Sequence, residues 1–175
     1  PMGAFPALLA SVLALLPLPA NADEEESVPI QRYLESLRLG DYLKEIKLVY
    51  PPLREWPSFR EPGGKTTRYQ IERSYAKHFP WDIDSLRLGV RWGRLVHIQA
   101  VYSERSARDK PIEKIVVELS MIYGEPSRKG MIYSWRDSKT VLRVFNEEQP
   151  SADGRSVELH PSIEIYERGS REQVD

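Results

Sequence analysis

Three histidines, His78, His97 and His160, are all that this chain of 175 residues offers for acid–base or metal work near neutral pH. His97 shares a strand side with Gln99, opposite Val96 and Ile98, and reads as an exposed-face residue. His160 alternates with Glu158 and Ser162, which lines nitrogen and oxygen ligands along one strand face. Zinc needs a third and fourth ligand, so no metal site is expected. The chain has no cysteine, which excludes thiol catalysis, disulfides and Cys-based zinc sites together. Serine catalysis needs a nucleophile with a base in reach, and no Gly-x-Ser-x-Gly turn occurs. His-Glu-x-x-His and a glycine-rich phosphate loop are missing too. Pairs such as Asp82 with Asp84, or Glu147 with Glu148, mean little among 26 acids. No catalytic residue and no cofactor is assigned.

Recognition chemistry is better represented. Trp56, Phe59, Phe79 and Trp81 sit in two proline-containing stretches rather than on periodic elements. Aromatics beside prolines make rigid contact surfaces of the kind that anchor partners. The plainer alternative is a satellite cluster that folds a long loop down onto the domain. Arg87, Arg91 and Arg94 head a basic group that continues through Arg105, Arg108, Lys110 and Lys114. It suits anions such as polyanionic glycans or lipid head groups, or else internal pairing with Glu113, Glu158 and Glu164. Residues 27–146 hold 22 Lys and Arg against 14 Asp and Glu, while the whole chain nets −1. Acidic ends balance the basic body.

The elements that would position these groups follow from hydrophobic period. Ser36 to Gly40 reads as a short strand or turn, and Asp41 stands where a helix N-cap should. Leu43, Ile46 and Tyr50 form a stripe on a helix over 42–50, stopped by Pro51-Pro52. Pro57, Pro62, Gly63 and Gly64 mark 51–64 as loop, with a strand over 67–75 and a second loop over 76–84. Leu86, Leu88, Val90 and Trp92 alternate with Arg87, Gly89 and Arg91; Gly93 turns the chain, and Val96, Ile98, Ala100 and Tyr102 return it. Pro111 opens a helix whose stripe is Ile112, Ile115, Val116, Leu119, Ile122 and Tyr123, and Gly124 ends it. Strands are expected over 131–136, 140–146 and 156–167, the last at an edge or bulge because Pro161 has no amide proton. The order is helix, three strands, helix, three strands. The predicted class is α+β: an antiparallel sheet with two helices packed on one face, compatible with a duplicated α-β-β-β unit.

The opening residues speak of export. Ala4 to Leu18 carries no charge, and Ala20-Asn21-Ala22 is the small-x-small pattern cut by signal peptidase. That apolar run is shorter than the roughly 20 residues a membrane span needs. Residues 1–22 are therefore expected to be a signal peptide, 23–29 an acidic linker, 30–167 a single α+β domain and 168–175 a polar tail. A disulfide-free exported domain suits a bacterial periplasm or exterior. The expected partner is a protein or envelope polymer, not nucleic acid, and the mature chain should have no transmembrane segment.

Over residues 115–137, an amphipathic helix leaves through Gly124-Glu125-Pro126 into a strand bearing Tyr133 and Trp135. This resembles small bacterial envelope proteins of the BamE-like class, which have helices on one face of a three-stranded antiparallel sheet and serve in outer-membrane assembly. The tandem layout also resembles the secreted β-lactamase inhibitory proteins. Fold analogy alone does not give function; the chain is read as an exported, non-catalytic periplasmic or secreted protein that binds another macromolecule in the cell envelope. A small envelope hydrolase and a secreted enzyme inhibitor remain the alternatives.

Overall fold

The computed structural model describes residues 28–60 and 62–170. The expected signal peptide, the acid run Asp23–Glu26 and the last five residues lie outside them. In chain order the elements are β1 (Tyr33–Leu34), β2 (Leu37–Arg38), α1 (Leu43–Val49), β3 (Ser58–Arg60), β4 (Thr66–Glu72), β5 (Ile83–Arg91) and β6 (Arg94–Tyr102). They continue as α2 (Glu104–Asp109), α3 (Ile112–Tyr123), β7 (Ser127–Lys129), β8 (Ile132–Arg136), β9 (Thr140–Pro150) and β10 (Val157–Glu167). No helix among the described residues is long and apolar enough to cross a membrane.

Eight strands form one antiparallel sheet in the order β3-β4-β5-β6-β10-β9-β8-β7. Each half is a meander that starts at an outer edge and ends at the centre, where β6 meets β10. Helices α1 and α3 are thus each followed by four strands of the sheet, not three. The additional ones, β3 and β7, have three residues each, too few to reveal an alternation.

Cross-strand partners share a face, so the register sorts the side chains into two sets. Tyr69 pairs with Leu88 and Leu88 with Ile98; Ile98 then pairs with Ile165, Ile165 with Leu142, and Leu142 with Trp135. This row runs through the buried cluster, which also takes in Ile46 and Tyr50 near α1 and Ile112 and Ile115 of α3. Burying each such side chain contributes about 1.5–3 kcal/mol. The opposite face carries Arg68, Arg87, His97, Gln99, Glu164 and Arg143.

Several expectations need correction. Asp41 does not cap α1. Its carboxylate accepts from Arg38 N at 2.9 Å, and Tyr42 takes the cap position with its amide donating to Glu45 at 2.7 Å. Ile122 is exposed, because the apolar stripe of α3 is buried only near its start, at Ile112 and Ile115. A separate short helix, α2, fills the stretch before Pro111, with Ser103 as its cap. Pro161 is not on an edge strand, since β10 lies at the centre of the sheet. The ladder to β6 starts only at Ser162, so no neighbour on that side requires the missing proton.

Candidate functional site

The polar face ties its ionisable groups to one another. Glu164 is 1% exposed and lies between His97 Nε2 at 2.8 Å and Arg143 Nη1 at 3.0 Å. Arg68 reaches the other imidazole nitrogen of His97 at 3.4 Å. Gly89 makes room for this approach: a Cβ there would lie 3.1 Å from His97 Cβ and 3.5 Å from Arg68 Nη1. One row along, Arg87 on β5 pairs with Glu147 on β9, with two strands between them. That pair bridges roughly 14 Å of sheet. Beneath it, Gln99 donates to Glu147 and to Ser162, both at 2.9 Å. His97 is therefore a buried member of a network, not the exposed residue that strand parity suggested. Parity chose its face correctly but could not supply neighbours that come from β10, more than sixty residues on.

His160 is buried as well. Its Nδ1 lies 2.9 Å from both Asp84 Oδ2 and the Tyr102 carbonyl, and its Nε2 lies 3.1 Å from Glu158. Glu158 is thus a neighbour as the sequence suggested, while Ser162 instead joins Gln99 and the Ala100 carbonyl. Among the described residues no His, Asp and Glu come together in a group able to hold a metal. The one Ser-x-x-Lys spacing among the described residues, Ser74 to Lys77, falls on a 3-10 turn followed by extended Ala76. No hydrogen bond between those two side chains is present among the described residues, so this is no nucleophile–base pair.

Glu35 is a third polar centre. It accepts from the Tyr102 hydroxyl at 2.8 Å, and its carbonyl accepts from the Tyr50 hydroxyl at 2.6 Å. Burial raises its carboxyl above the ordinary range, Asp82 adds to the rise, and the Tyr102 hydrogen bond opposes it. Burial likewise pushes the Tyr50 phenol up to about 12. Both phenols act on a β1–β2 turn in which Glu35 and Ser36 have φ of 51° and 65°, left-handed values that non-glycine residues hold at a cost. The cluster clamps a turn.

Different chemistry occupies the β5–β6 tip. Arg91 pairs with Arg94 across a two-residue turn in which Trp92 and Gly93 have φ of 50° and 76°. Two positive values define a type I′ turn, where Asn-Gly is the relaxed choice. Trp92 is nonetheless held there, 78% exposed. The Arg91 guanidinium stacks 4.7 Å from its ring centre, with Lys65 Nζ at 5.9 Å. Arg94 stacks on Tyr42 at 4.4 Å and also hydrogen-bonds its hydroxyl. None of Arg60, Lys65, Arg91 and Arg94 pairs with a carboxylate among the described residues. The buried Arg91 Nε has no acceptor.

Beside this tip runs a groove of about 520 Å³, with Leu43, Tyr69 and Val90 as apolar lining, Arg60 and Lys65 as cations, and Trp92 as an aromatic wall. Tyr69 also lines an adjoining hollow of about 460 Å³ toward Lys47, Arg54 and Trp56.

No family model, curated protein or solved structure matches this chain. The site must be read from its own geometry. Of the four loop aromatics, Trp56 is 4% exposed, lies edge-on to Tyr69 and donates its indole proton to the Tyr75 carbonyl. Phe79 packs half-buried against Tyr50. Phe59 and Trp81 are exposed, at 58% and 70%, and Phe59 belongs to β3 rather than a loop. Of the three arginines, Arg87 is held by Glu147, while Arg91 and Arg94 lie together at the tip. Trp92 is the residue that sequence reasoning missed. Period two assigned it to the apolar face of a strand, whereas Trp-Gly at the centre of a tight hairpin was the available signal.

Proposed function

We propose that this is an exported, non-catalytic protein of the bacterial periplasm or exterior that binds another macromolecule of the cell envelope. The observation that carries this reading is Trp92, a large apolar side chain displayed from a strained turn among cations that have no acid partner among the described residues. Strain of this sort persists where the surrounding fold holds it, and it clusters at working surfaces. Trp, Tyr and Arg are also the residue types enriched where partners anchor. The buried histidines and carboxylates, by contrast, already have internal partners and leave no nucleophile beside a free base. Trp81 and Phe59 would add contact area elsewhere on the surface. Both helices are inferred to lie on the apolar face of the sheet, each heading one half of a duplicated helix-plus-strands unit.

The test has two parts. Fractionation and N-terminal sequencing of the expressed full chain should find it outside the cytoplasm and beginning at Asp23. A photo-crosslinking amino acid at position 92 should then capture an envelope component that the same group at Arg136, on β8, does not. Retention of residues 1–22 in a cytoplasmic pool, or equal capture from both positions, overturns the reading.

A further inference from the structure

The geometry points to an acidic, extended segment of a partner protein as the occupant of the groove between α1 and the outer strands β3, β4 and β5. This deepens the binding reading above and rests on it. Three observations select the chemistry. Arg60 and Lys65 line the groove, Arg91 and Arg94 flank its Trp92 wall, and among the described residues no Asp or Glu lines it, so the complementary occupant is anionic. Leu43, Tyr69 and Val90 provide an apolar surface, so the occupant also carries at least one apolar side chain. A second hollow shares Tyr69 and is lined by Lys47 and Arg54 with one acid, Glu55, which favours a linear chain over a compact ion. Sugar hydroxyls are met by side-chain amides and carboxylates as well as rings, and among its described residues the groove beside Trp92 lacks any Asn, Gln, Asp or Glu. A flat membrane surface would leave the concavity empty.

Trp92 and the cations then have separate roles. The indole closes the end of the groove and packs on the apolar side chain, while Arg60, Lys65 and Arg94 meet the carboxylates. Stacking on Trp92 and Tyr42 holds the Arg91 and Arg94 guanidinia in place before anything binds, which lowers the ordering cost of association.

The probe is a fluorescein-labelled twelve-residue peptide of alternating Glu and Leu, titrated with the full chain and read by anisotropy. All-Glu and alternating Lys–Leu peptides, and vesicles of phosphatidylglycerol, serve as comparisons. The Glu–Leu peptide should bind, weaken as salt rises, and lose about tenfold or more in affinity with Trp92→Asn or with Arg60→Ser combined with Lys65→Ser. Arg136→Ser should leave it unchanged. Because Asn relaxes the turn, loss of binding in Trp92→Asn cannot be blamed on unfolding, and a denaturation curve checks this. Equal binding of the all-Glu peptide, equal loss with Arg136→Ser, or vesicle binding without peptide binding each overturns the proposal. Crosslinked capture from position 92 without peptide binding would sink the acidic segment alone; loss of both sinks the binding reading as well.

Discussion

Arg87 and Arg91 stand four residues apart on the same strand and the same face, yet they serve opposite ends. Arg87 reaches across two strands to Glu147 and helps cover Gln99 and Ser162. Arg91 sits over the Trp92 ring and, among the described residues, has no acid partner and one buried nitrogen without an acceptor. The centre of the sheet folds its charges into itself, while the hairpin tip holds its charges outward. A charge is legible in a sequence; its partner is not. Whether an arginine is structural or available depends on what distant strands bring within reach: Glu147 arrives for Arg87 from β9, two strands away, and among the described residues no acid arrives for Arg91.

The contrast holds for tryptophan too, and there it predicts the largest effect. Trp56→Ala empties a core position and should cost about 3–5 kcal/mol in chemical denaturation. Trp92→Ala, which loses only an exposed cation–π contact, should cost no more than about 0.5–1 kcal/mol. Equal losses at the two positions would erase the distinction between a consumed and a displayed aromatic.

Next in size is the polar centre. Glu164→Gln keeps the shape but removes the charge between His97 and Arg143, and breaking a buried pair from one side costs about 3 kcal/mol or more. Arg94→Ser at the tip should stay within about 0.5 kcal/mol, as surface changes usually do. Urea midpoints at fixed slope compare the two directly.

A smaller effect tests the packing that lets Arg68 reach His97. Gly89→Ala gains about 0.5–1 kcal/mol from the backbone, but its new Cβ would stand 3.1 Å from His97 Cβ and 3.3 Å from Thr66 Cγ2. A Cβ cannot rotate away, so the strand itself must yield, at about 1–3 kcal/mol. The net expectation is a loss of about 1 kcal/mol, read from the same denaturation curves. A gain would mean that the network tolerates a wider strand spacing than its hydrogen bonds imply.

How far the sequence carried is visible in the same residues. The β5–β6 hairpin, α3, β9 and β10 were legible because each shows its period over at least two repeats. β3 and β7 were not, since three residues do not make an alternation. Pro161 misled because proline reports only that one amide is missing, and a central strand whose ladder starts one residue later does not need it. Parity set His97 opposite Ile98 and Arg87 opposite Leu88 correctly, but the burial of His97 comes from the pairing of β6 with β10, a contact between residues far apart in the chain. At the candidate site Arg91 and Arg94 were read directly. Trp92 was lost because alternation was followed one residue too far, into the turn.

That residue also yields the smallest and sharpest effect. Trp92 sits at a left-handed position, where an ordinary side chain costs about 1–2 kcal/mol and where Asn before Gly is the relaxed pair. Replacing it with Asn removes that strain and forfeits an exposed cation–π contact worth about 0.5–1 kcal/mol. The balance is a net gain of up to about 1.5 kcal/mol in stability, seen as a higher urea midpoint with an unchanged slope. A side chain kept only for the fold should not be improved by its removal. If Trp92→Asn instead destabilises the chain, the indole is holding Arg91 and Lys65 for structural reasons, and the tip joins the sheet centre as a region that uses what it carries.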